Sequence, residues 1–467
     1  MNLFFLKKIS WATLDSFSSA LIGLFSILLL SRSLGVSQFG ELSYIQSFII
    51  IINLVVGLGV GDSIIQRKLL SDSQKDSIFT FSLLQGIFGA AVCFSLFFVI
   101  DINTKAIFYL IVVEGVGCFF TYFISLHVAL LTKDIETKIL AIRTFFGRVI
   151  FIVTLTILLY FDFGLWAFVY SRLLQIPFET FFIWKYNTRN YKLNFDFRII
   201  REFFNFGLPV MFEGVLWQFS SRILMLLVGN FHGMNTLGYL SLAIRFSETF
   251  SNLVISIIGK VFFPLFSNNI ENKILLKKIM RNGTSFIVII AINIICYTNL
   301  FCGMIVEIVF GKEWLNSVIY IQVLLFLTTI TFSRIFFSLN LKSNGKTKEL
   351  FFVSFCSALT IFVVFILTVN LGPQGVLYAW IARIFISVPL SFYFVKNILG
   401  YSYYFQSIPF MIVIVFTFLF CLYATFLGFD LSGDVNNSLN FWIFLPLPMQ
   451  FIAALIYKRY LIYETDY

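Results

Sequence analysis

The sequence is poor in charged residues and in the residues that hold metals. Only 12% of its 467 residues are Asp, Glu, Lys or Arg, about half the share found in typical soluble domains. Its two histidines, His127 and His232, lie far apart, and its six cysteines show no CxxC spacing. All six cysteines fall inside apolar segments. The sequence therefore predicts no metal site, no cofactor and no disulfide framework.

Apolar residues dominate the chain, with 59% hydrophobic and 19% aromatic residues. A water-soluble fold cannot bury so much apolar surface, which excludes a soluble enzyme and predicts an integral membrane protein. The apolar runs are continuous rather than alternating, so the expected fold class is all-α and polytopic, not a β-barrel. Runs of about 20 residues predict fourteen spans, at 11–33, 39–61, 78–100, 106–131, 139–160, 163–186, 205–230, 236–263, 284–310, 316–341, 350–371, 374–396, 405–428 and 439–461.

The distribution of Lys and Arg predicts the topology. When loops are assigned alternately to the two sides, 22 of the 33 basic residues fall on the side of the N-terminus, whereas only Lys105 and Lys312 fall on the other. Cytoplasmic loops carry the excess of Lys and Arg, so both termini are expected in the cytoplasm. No loop exceeds about twenty residues, which leaves no room for a catalytic domain outside the membrane.

A short segment recurs in the second half of the chain. Residues 35–48 align without gaps to residues 233–246, and a weaker match pairs Gly164-x7-Arg172 with Gly375-x7-Arg383. An offset of six spans preserves orientation, which predicts a parallel repeat of two six-helix bundles around a central cavity. The expected domains are 1–190, 191–400 and a pair of accessory transmembrane helices at 401–467. The identical pairs in the longer match are Gly35/Gly233, Gly40/Gly238, Leu42/Leu240, Ser43/Ser241 and Phe48/Phe246.

Several charged residues lie within the predicted spans. Each cation at a span centre costs roughly 2.5–3.5 kcal/mol on insertion scales, so most of them are expected to face a protein interior or a water-filled cavity. Five carboxylates, Asp15, Glu114, Glu179, Glu213 and Glu248, are embedded as well. The nine embedded cations are Arg32, Arg143, Arg148, Arg172, Arg222, Arg245, Lys260, Arg334 and Arg383.

Helical spacing places many of these groups on common faces. The eighth span carries a polar stripe that includes Arg245, Glu248 and Asn252, and the sixth aligns Arg172 with Gln175 and Glu179. Gln46 and Asn53 are seven residues apart on the second span. The first span groups Asp15, Ser18, Ser19 and Ser26, and the seventh aligns Glu213, Trp217 and Ser220.

Two interpretations of these stripes stay open. In the first, the cations line a water-filled cavity and hold an anionic substrate, and Trp217 stacks on a sugar ring. In the second, the charges pair with one another, Arg245 with Glu248 and Arg172 with Glu179, and fix helix packing. Trp217 is then an ordinary packing aromatic, and Arg222, which points away from Glu213, is structural.

Four segments resemble a known transporter family. They are LLLSRSLGVSQFGELSYIQSFIIIINLVVGLGVGDSIIQRK at 28–68, NFGLPVMFEG at 205–214, LGYLSLAIRFSETFSNLVISIIGKVFFPLFS at 237–267 and GKEW at 311–314. In order and spacing they are similar to bacterial polysaccharide-export flippases of the O-antigen, capsule and colanic-acid type. These proteins belong to the multidrug/oligosaccharidyl-lipid/polysaccharide exporter superfamily.

The resemblance implies two bundles facing each other across a V-shaped cavity that opens alternately to the two sides. The implied cargo is an undecaprenyl-diphosphate-linked oligosaccharide, moved from the cytoplasmic to the periplasmic leaflet of a bacterial inner membrane for lipopolysaccharide or other surface polysaccharide synthesis. Membrane lipids, a polysaccharide polymerase and a chain-length regulator are the implied partners, and nucleic acid is not. Cavities of that family are cationic, and the candidates for such a cavity here are Arg245, Arg172, Arg334 and Arg383. The polar stripes add Glu248, Asn252, Gln46, Asn53 and Trp217 as candidate substrate-binding residues.

The acidic residues are a departure from the cationic cavity of that family. Asp15 and Glu213 occupy matching positions of the repeat and would repel a pyrophosphate, so they and Glu179 are assigned to ion coupling or gating. Two other functions compete with a flippase. A cation-coupled multidrug exporter would use the acids, but nine embedded cations argue against it. A polymerase or ligase, an enzyme, would need a long periplasmic loop, which the sequence lacks. A lipid II translocase is a close relative.

Overall fold

A computed structural model describes residues 3–57, 60–66, 70–98, 100, 105–134, 136–186, 191–269, 272–344 and 346–400. The predicted spans at 405–428 and 439–461, and with them the proposed accessory helices, lie outside the described residues.

Throughout the described ranges, the regular elements are helices. Among the described residues, eight stretches are long and apolar enough to cross a membrane. Short 3-10 turns follow α4 and α13 and precede α11. The α-helices are α1 (Leu3–Ser33), α2 (Val36–Gly57), α3 (Val60–Gln66), α4 (Asp72–Ser95), α5 (Lys105–Phe123), α6 (Ser125–Lys133), α7 (Thr137–Tyr160), α8 (Leu165–Trp184), α9 (Phe197–Asn268), α10 (Lys273–Val309), α11 (Val318–Ser333), α12 (Ile335–Ser343), α13 (Thr347–Thr368) and α14 (Pro373–Leu399).

Each of the first twelve predicted spans overlaps a helix, with three differences in detail. The seventh and eighth spans form the single long helix α9, which is interrupted at Gly233, where φ is 83° and ψ is 168°. A residue other than glycine would be strained at that φ. The fourth span is divided into α5 and α6, and the tenth into α11 and α12. Hydrophobicity alone does not predict these breaks, because the apolar runs continue through them.

The chain forms two compact units, Met1–Gly238 and Tyr239–Tyr467. In the first unit, a core cluster joins Phe79 of α4, Leu126 of α6 and Phe203 of α9. In the second, Phe266 of α9 and Phe336 of α12 pack with Phe392 of α14. Many other large apolar side chains are exposed, such as Phe98 and Phe181, as expected for surfaces that face lipid.

The two units share a backbone pattern at matching places. A single residue, Ile124 in the first unit and Arg334 in the second, separates a long helix from a nine-residue helix; φ and ψ are −94° and −1° at Ile124 and −85° and −10° at Arg334. The next long helix begins after Glu136 (φ −80°, ψ 56°) or Lys346 (φ −84°, ψ 54°). Both pairs are 210 residues apart, so this part of the chain has equivalent residues at that offset.

A second equivalence differs from the sequence alignment. Gly164 precedes α8 with φ 55° and ψ −132°, and Gly372 precedes α14 with φ 64° and ψ −137°. By backbone conformation, Gly164 therefore corresponds to Gly372. The sequence match pairs Gly164 with Gly375 instead, three residues further along. By this count the position of Arg172 corresponds to Trp380, and Arg383 lies about one helical turn further along.

An extended segment is attached to the side of α4 in the first unit. The backbone N–H of Lys192 donates to Asp76 Oδ1 at 3.3 Å, and that of Asn194 donates to Thr80 Oγ1 at 3.1 Å. Tyr191 stacks on Phe79 with ring centroids 4.7 Å apart. The two acceptor residues are four apart and lie on one face of α4, so the segment is fixed along that face.

Within the first unit, α2 and the part of α9 that follows Gly233 approach at backbone distance. A methyl group on Gly40 would collide with the backbone oxygen of Met234, and one on Gly238 would collide with the backbone oxygen of Val36. Gly40 and Gly238 are an identical pair of the sequence repeat, and Val36 and Met234 occupy aligned positions in it. The contact is therefore reciprocal, and glycine at both positions allows it.

Replacement of Gly40 by alanine tests this close approach. Gly40→Ala should lower the free energy of unfolding by about 1–3 kcal/mol, because the added methyl group must displace backbone rather than a flexible side chain. The measurement is a denaturant titration of the purified protein in detergent micelles. Gly35→Ala is the matched control: its added methyl group meets nothing within 4 Å, so a change within about 0.5 kcal/mol is expected. Equal stability of the two variants would contradict the proposed backbone contact.

Candidate functional site

The first unit contains a cavity of about 430 Å³ among helices α1, α2, α5, α7 and α8. Four of these five helices, α1, α2, α5 and α7, include a stretch that is long and apolar enough to span a membrane. Polar side chains reach it from all five helices. The lining residues are Ser19, Ile22, Gly23, Ser26, Gln46, Ile49, Ile50, Asn53, Glu114, Arg148, Phe151, Phe168, Arg172 and Gln175.

An ion pair between α8 and α5 forms one wall of the cavity. Arg172 Nε donates to Glu114 Oε1 at 2.8 Å, and Arg172 Nη2 donates to Glu114 Oε2 at 3.0 Å. This two-point geometry is the strongest that guanidinium and carboxylate form. The Glu114 side chain is 7% exposed and that of Arg172 is 29% exposed. The acid is thus the more buried member of the pair, and both side chains line the cavity.

The ion pair continues along α8 into a chain of hydrogen bonds. Arg172 Nη1 donates to Gln175 Oε1 at 3.0 Å, and Gln175 Nε2 donates to Glu179 Oε1 at 2.8 Å. Arg143 Nε of α7 lies 3.7 Å from Glu179 Oε2. A methyl group on Gly147 would collide with the Glu179 carboxylate, so the glycine provides the space for this acid. The i, i+3, i+4 spacing predicted from the sequence thus corresponds to real contacts.

A second group of polar side chains joins α1 to α7. Thr144 Oγ1 donates to Asp15 Oδ1 at 2.6 Å, and Arg148 Nη1 lies 3.4 Å from the same oxygen. Arg148 also donates to the hydroxyl of Ser19. Arg148 therefore connects Asp15 with the cavity lining.

Neutral polar groups and an aromatic pair complete the lining. Asn53 Nδ2 donates to the carbonyl of Ile49 at 2.9 Å, and Tyr122 donates to the carbonyl of Asn53 at 2.6 Å. These contacts hold Asn53 on the cavity side of α2 beside Gln46. Phe151 and Phe168 meet edge to face with centroids 5.5 Å apart. Amides, hydroxyls and aromatic rings in one cavity provide hydrogen bonds and apolar surface to the same ligand.

The charges of this network balance. Three arginines, Arg143, Arg148 and Arg172, each lie against one carboxylate, Glu179, Asp15 and Glu114 respectively. Pairing of this kind offsets the cost of embedding each charge in an apolar bundle. Each described carboxylate that lines or adjoins the cavity thus has an arginine as its neighbour.

The structure brings only some of the predicted site residues together. Gln46, Asn53 and Arg172 line the cavity, and Asp15 and Glu179 adjoin it. The partner of Arg172 is Glu114, whereas the internal-pairing hypothesis paired it with Glu179; Gln175 separates those two side chains. The sequence marks Glu114 and Arg148 as charged residues within spans, but only the three-dimensional structure shows that Glu114 pairs with Arg172 and that Arg148 lines the same cavity.

The remaining predicted residues lie elsewhere. Arg222 is buried beside Met225. Arg245, Glu248 and Asn252 are on the part of α9 that belongs to the second unit, where Arg245 and Glu248 are half-buried and Asn252 is exposed. Arg334 and Arg383 are also in the second unit. Glu213 and Trp217 are at helical positions of α9, but their side chains lie outside the described residues.

Comparison with known proteins supports a transporter fold. The family described as "Polysaccharide biosynthesis protein" matches residues 29–319, more than half of the chain. The Bacillus subtilis (strain 168) protein "Teichuronic acid biosynthesis protein TuaB" is 22% identical over 322 residues, which cover 67% of this chain and 66% of the relative. The chain thus spans slightly less than two thirds of that relative.

Two solved structures share the fold. The lipid II flippase MurJ in an inward closed conformation superposes with a TM-score of 0.74 at 16% identity, covering 98% of this chain and 99% of that one. An inward-facing multidrug resistance MATE family transporter of the MOP superfamily has a TM-score of 0.65 at 16% identity, covering 82% and 94%.

The Arg172–Glu114 pair is testable by a double-mutant cycle. Glu114→Gln and Arg172→Gln should each lower the free energy of unfolding by about 2–3 kcal/mol, because each leaves a partly buried charge without its partner. The double variant should cost less than the sum of the two, by about 1–3 kcal/mol. Denaturant titration in micelles measures all four proteins.

The surface pair Lys75–Asp72, with nitrogen and oxygen 3.7 Å apart, is the control for this cycle. Asp72→Asn should change stability by at most about 1 kcal/mol. Additive effects of Glu114→Gln and Arg172→Gln would show that the two side chains do not stabilise each other.

Proposed function

Because the chain belongs to the polysaccharide biosynthesis protein family, we propose that it is a flippase for undecaprenyl-diphosphate-linked oligosaccharides. In this proposal it moves the lipid-linked repeat unit from the cytoplasmic to the periplasmic leaflet of a bacterial inner membrane, and the unit is then assembled into a surface polysaccharide such as O-antigen, capsule or exopolysaccharide. The observation that carries the proposal is the cavity of the first unit, where amides, hydroxyls and aromatic rings line a space among helices that are mostly long and apolar enough to span a membrane.

The lining of that cavity suits a sugar. Hydroxyl groups of a saccharide both donate and accept hydrogen bonds, as do the amides of Gln46, Asn53 and Gln175. The rings of Phe151 and Phe168 offer apolar surface to the C–H faces of a sugar ring. Arg172 and Arg148 already contact carboxylates. Each has further N–H groups that can donate hydrogen bonds to a hydroxyl or phosphate oxygen of the cargo.

A cation-coupled multidrug exporter of the same fold is the alternative. Such a protein needs a carboxylate that is available to an organic cation. Among the described residues that line or adjoin this cavity, Glu114, Glu179 and Asp15 each lie against an arginine. Charge pairing therefore favours a saccharide cargo over a cationic drug. A lipid II translocase would carry a chemically similar cargo and is the second alternative.

We assign further roles on the same proposal. Arg245, Glu248, Asn252, Arg334 and Arg383 bind cargo in the second unit, and Asp15, Glu213 and Glu179 take part in ion coupling or gating. Both termini are in the cytoplasm, the two units give alternating access, and a polymerase and a chain-length regulator receive the cargo.

The sidedness of lipid-linked sugars in a deletion strain tests the function. Complete undecaprenyl-diphosphate oligosaccharides should accumulate and stay resistant to a glycosidase added to spheroplasts, because they remain in the cytoplasmic leaflet. Thin-layer chromatography of the extracted lipids, with and without the glycosidase, measures this. Normal delivery of unpolymerised units to the outer leaflet would contradict a flippase and indicate a role in polymerisation.

Complementation of the same strain tests the cavity. Asn53→Leu should lower surface polymer several-fold at normal protein level, because it replaces a hydrogen-bonding amide in the lining with an apolar side chain. Thr156→Val is the matched control, since Thr156 is exposed on α7 and donates only to the carbonyl of Ile152 in its own helix. Immunoblotting quantifies the protein and the polymer. Full export with Asn53→Leu would remove this cavity from the cargo path.

A further inference from the structure

A short segment of the first unit, residues 191–202, exposes large apolar side chains between two predicted spans. Its first half is the extended stretch attached to α4, and its second half is the start of α9. Leu193, Phe195 and Phe197 are 75%, 48% and 63% exposed. A group of exposed apolar side chains marks a surface that meets another protein or a membrane.

The backbone of this segment is fixed, and its packed side faces the interior of the unit. Two backbone hydrogen bonds attach its first half to α4, as described above. Asp196 then caps α9, because its Oδ1 accepts a hydrogen bond from the backbone N–H of Arg198 at 2.8 Å. Ile200 and Phe203 are buried in the core cluster, and Ser63 Oγ donates to the carbonyl of Phe203 at 2.8 Å. The opposite face of this helical turn is therefore the exposed one.

The position of the segment along α4 places it at the edge of a membrane. The candidate span Asp72–Phe98 has 27 residues, about 40 Å at 1.5 Å per residue, whereas the hydrocarbon core of a bilayer is about 30 Å thick. The ends of the span therefore reach the headgroup layer. Asp76 and Thr80, which accept the hydrogen bonds of the segment, lie about 6 Å and about 12 Å from the start of the span by the same rise.

An aromatic residue next to the segment is typical of the same layer. Trp184, at the end of α8, is 37% exposed. Its ring centroid lies 6.3 Å from that of Phe79, the residue on which Tyr191 stacks. Tryptophan is enriched at the boundary between lipid and water, so this end of the first unit has the composition of a membrane interface.

The cations of the segment favour an anionic partner. Residues 185–202 include five basic and only two acidic residues. Lys192, Arg198 and Arg201 are exposed, and the hydrogen bonds of Lys192 and Arg198 use their backbone N–H groups rather than their charged side chains. Arg198 and Arg201 are three residues apart and thus lie on one face of α9. Asp196 is the helix cap, and Glu202 has contacts of its own.

We propose that residues 191–202 form a binding site for the headgroup of an anionic phospholipid, with phosphatidylglycerol as its simplest form. Leu193, Phe195 and Phe197 enter the outer part of the acyl-chain layer, and Arg198 and Arg201 donate hydrogen bonds to the phosphate oxygens. Two guanidinium groups on one helical face match the geometry of a phosphate. The site is inferred from this surface alone and does not depend on the cargo of the transporter.

Lipid binding to the purified full-length protein tests the site without a transport assay. The protein in detergent micelles is titrated with phosphatidylglycerol or with phosphatidylcholine of the same acyl chains, and native mass spectrometry measures both affinities. Phosphatidylglycerol should bind more tightly, because phosphatidylcholine has no net charge. The double variant Arg198→Gln, Arg201→Gln should weaken phosphatidylglycerol binding about 25-fold, which is about 5-fold for each cation, and leave phosphatidylcholine binding unchanged.

Two further double variants make the test specific. Lys105→Gln with Lys312→Gln removes the same charge at other exposed sites and should leave the affinity for phosphatidylglycerol unchanged. Arg198→Lys with Arg201→Lys keeps the charge without the two-point geometry and should give intermediate affinity. It also serves as a second test if the glutamine variant fails to fold.

Hydrogen exchange locates the lipid on the protein. In nanodiscs of phosphatidylglycerol, backbone amides of residues 191–202 should exchange more slowly than in nanodiscs of phosphatidylcholine, and the difference should disappear in the double variant Arg198→Gln, Arg201→Gln. Equal affinity of wild type and that variant for phosphatidylglycerol, or an equal loss in the lysine control, overturns the site. Binding of undecaprenyl phosphate without any preference for phosphatidylglycerol also overturns it and assigns this surface to the cargo.

Discussion

The cost of burying charge in an apolar bundle governs the polar interior of this protein. Arg172 is held by both oxygens of Glu114, and around that pair the chain has placed Gln175, Glu179 and Arg143 in hydrogen-bonding or ion-pairing contact. Arg172 and Gln175 line the cavity, and both already hydrogen-bond to other side chains. They can stay in the span without a ligand and still present donors and acceptors to one.

The two units differ in the charged residues that they place inside their helices. The first balances three arginines with three carboxylates inside its own helices. In the second, Leu324 occupies the position equivalent to Glu114, and Arg334 stands at the junction where the first unit has Ile124. Helices with the same backbone pattern thus enclose different electrostatic environments.

Much of the fold was predictable, since hydrophobic runs report helices directly. The sites of helix interruption were not, because Ile124 and Arg334 lie within continuous apolar runs and their conformations depend on packing. The stripe of Arg172, Gln175 and Glu179 was predictable because contacts within one helix follow from spacing. Glu114, the true partner of Arg172, lies 58 residues away in sequence, and no local rule connects residues at that separation.

The attachment of residues 191–196 to α4 has a consequence for sequence divergence. Asp76 and Thr80 bind backbone N–H groups of Lys192 and Asn194, which every residue except proline carries. At residues 192 and 194 the path of the segment is therefore set by side chains of α4, whereas Tyr191 contributes its own ring by stacking on Phe79. The side chains at positions 192 and 194 can therefore change during evolution while both hydrogen bonds are kept. A proline at either position, or loss of the Asp76 carboxylate, would remove one of these bonds.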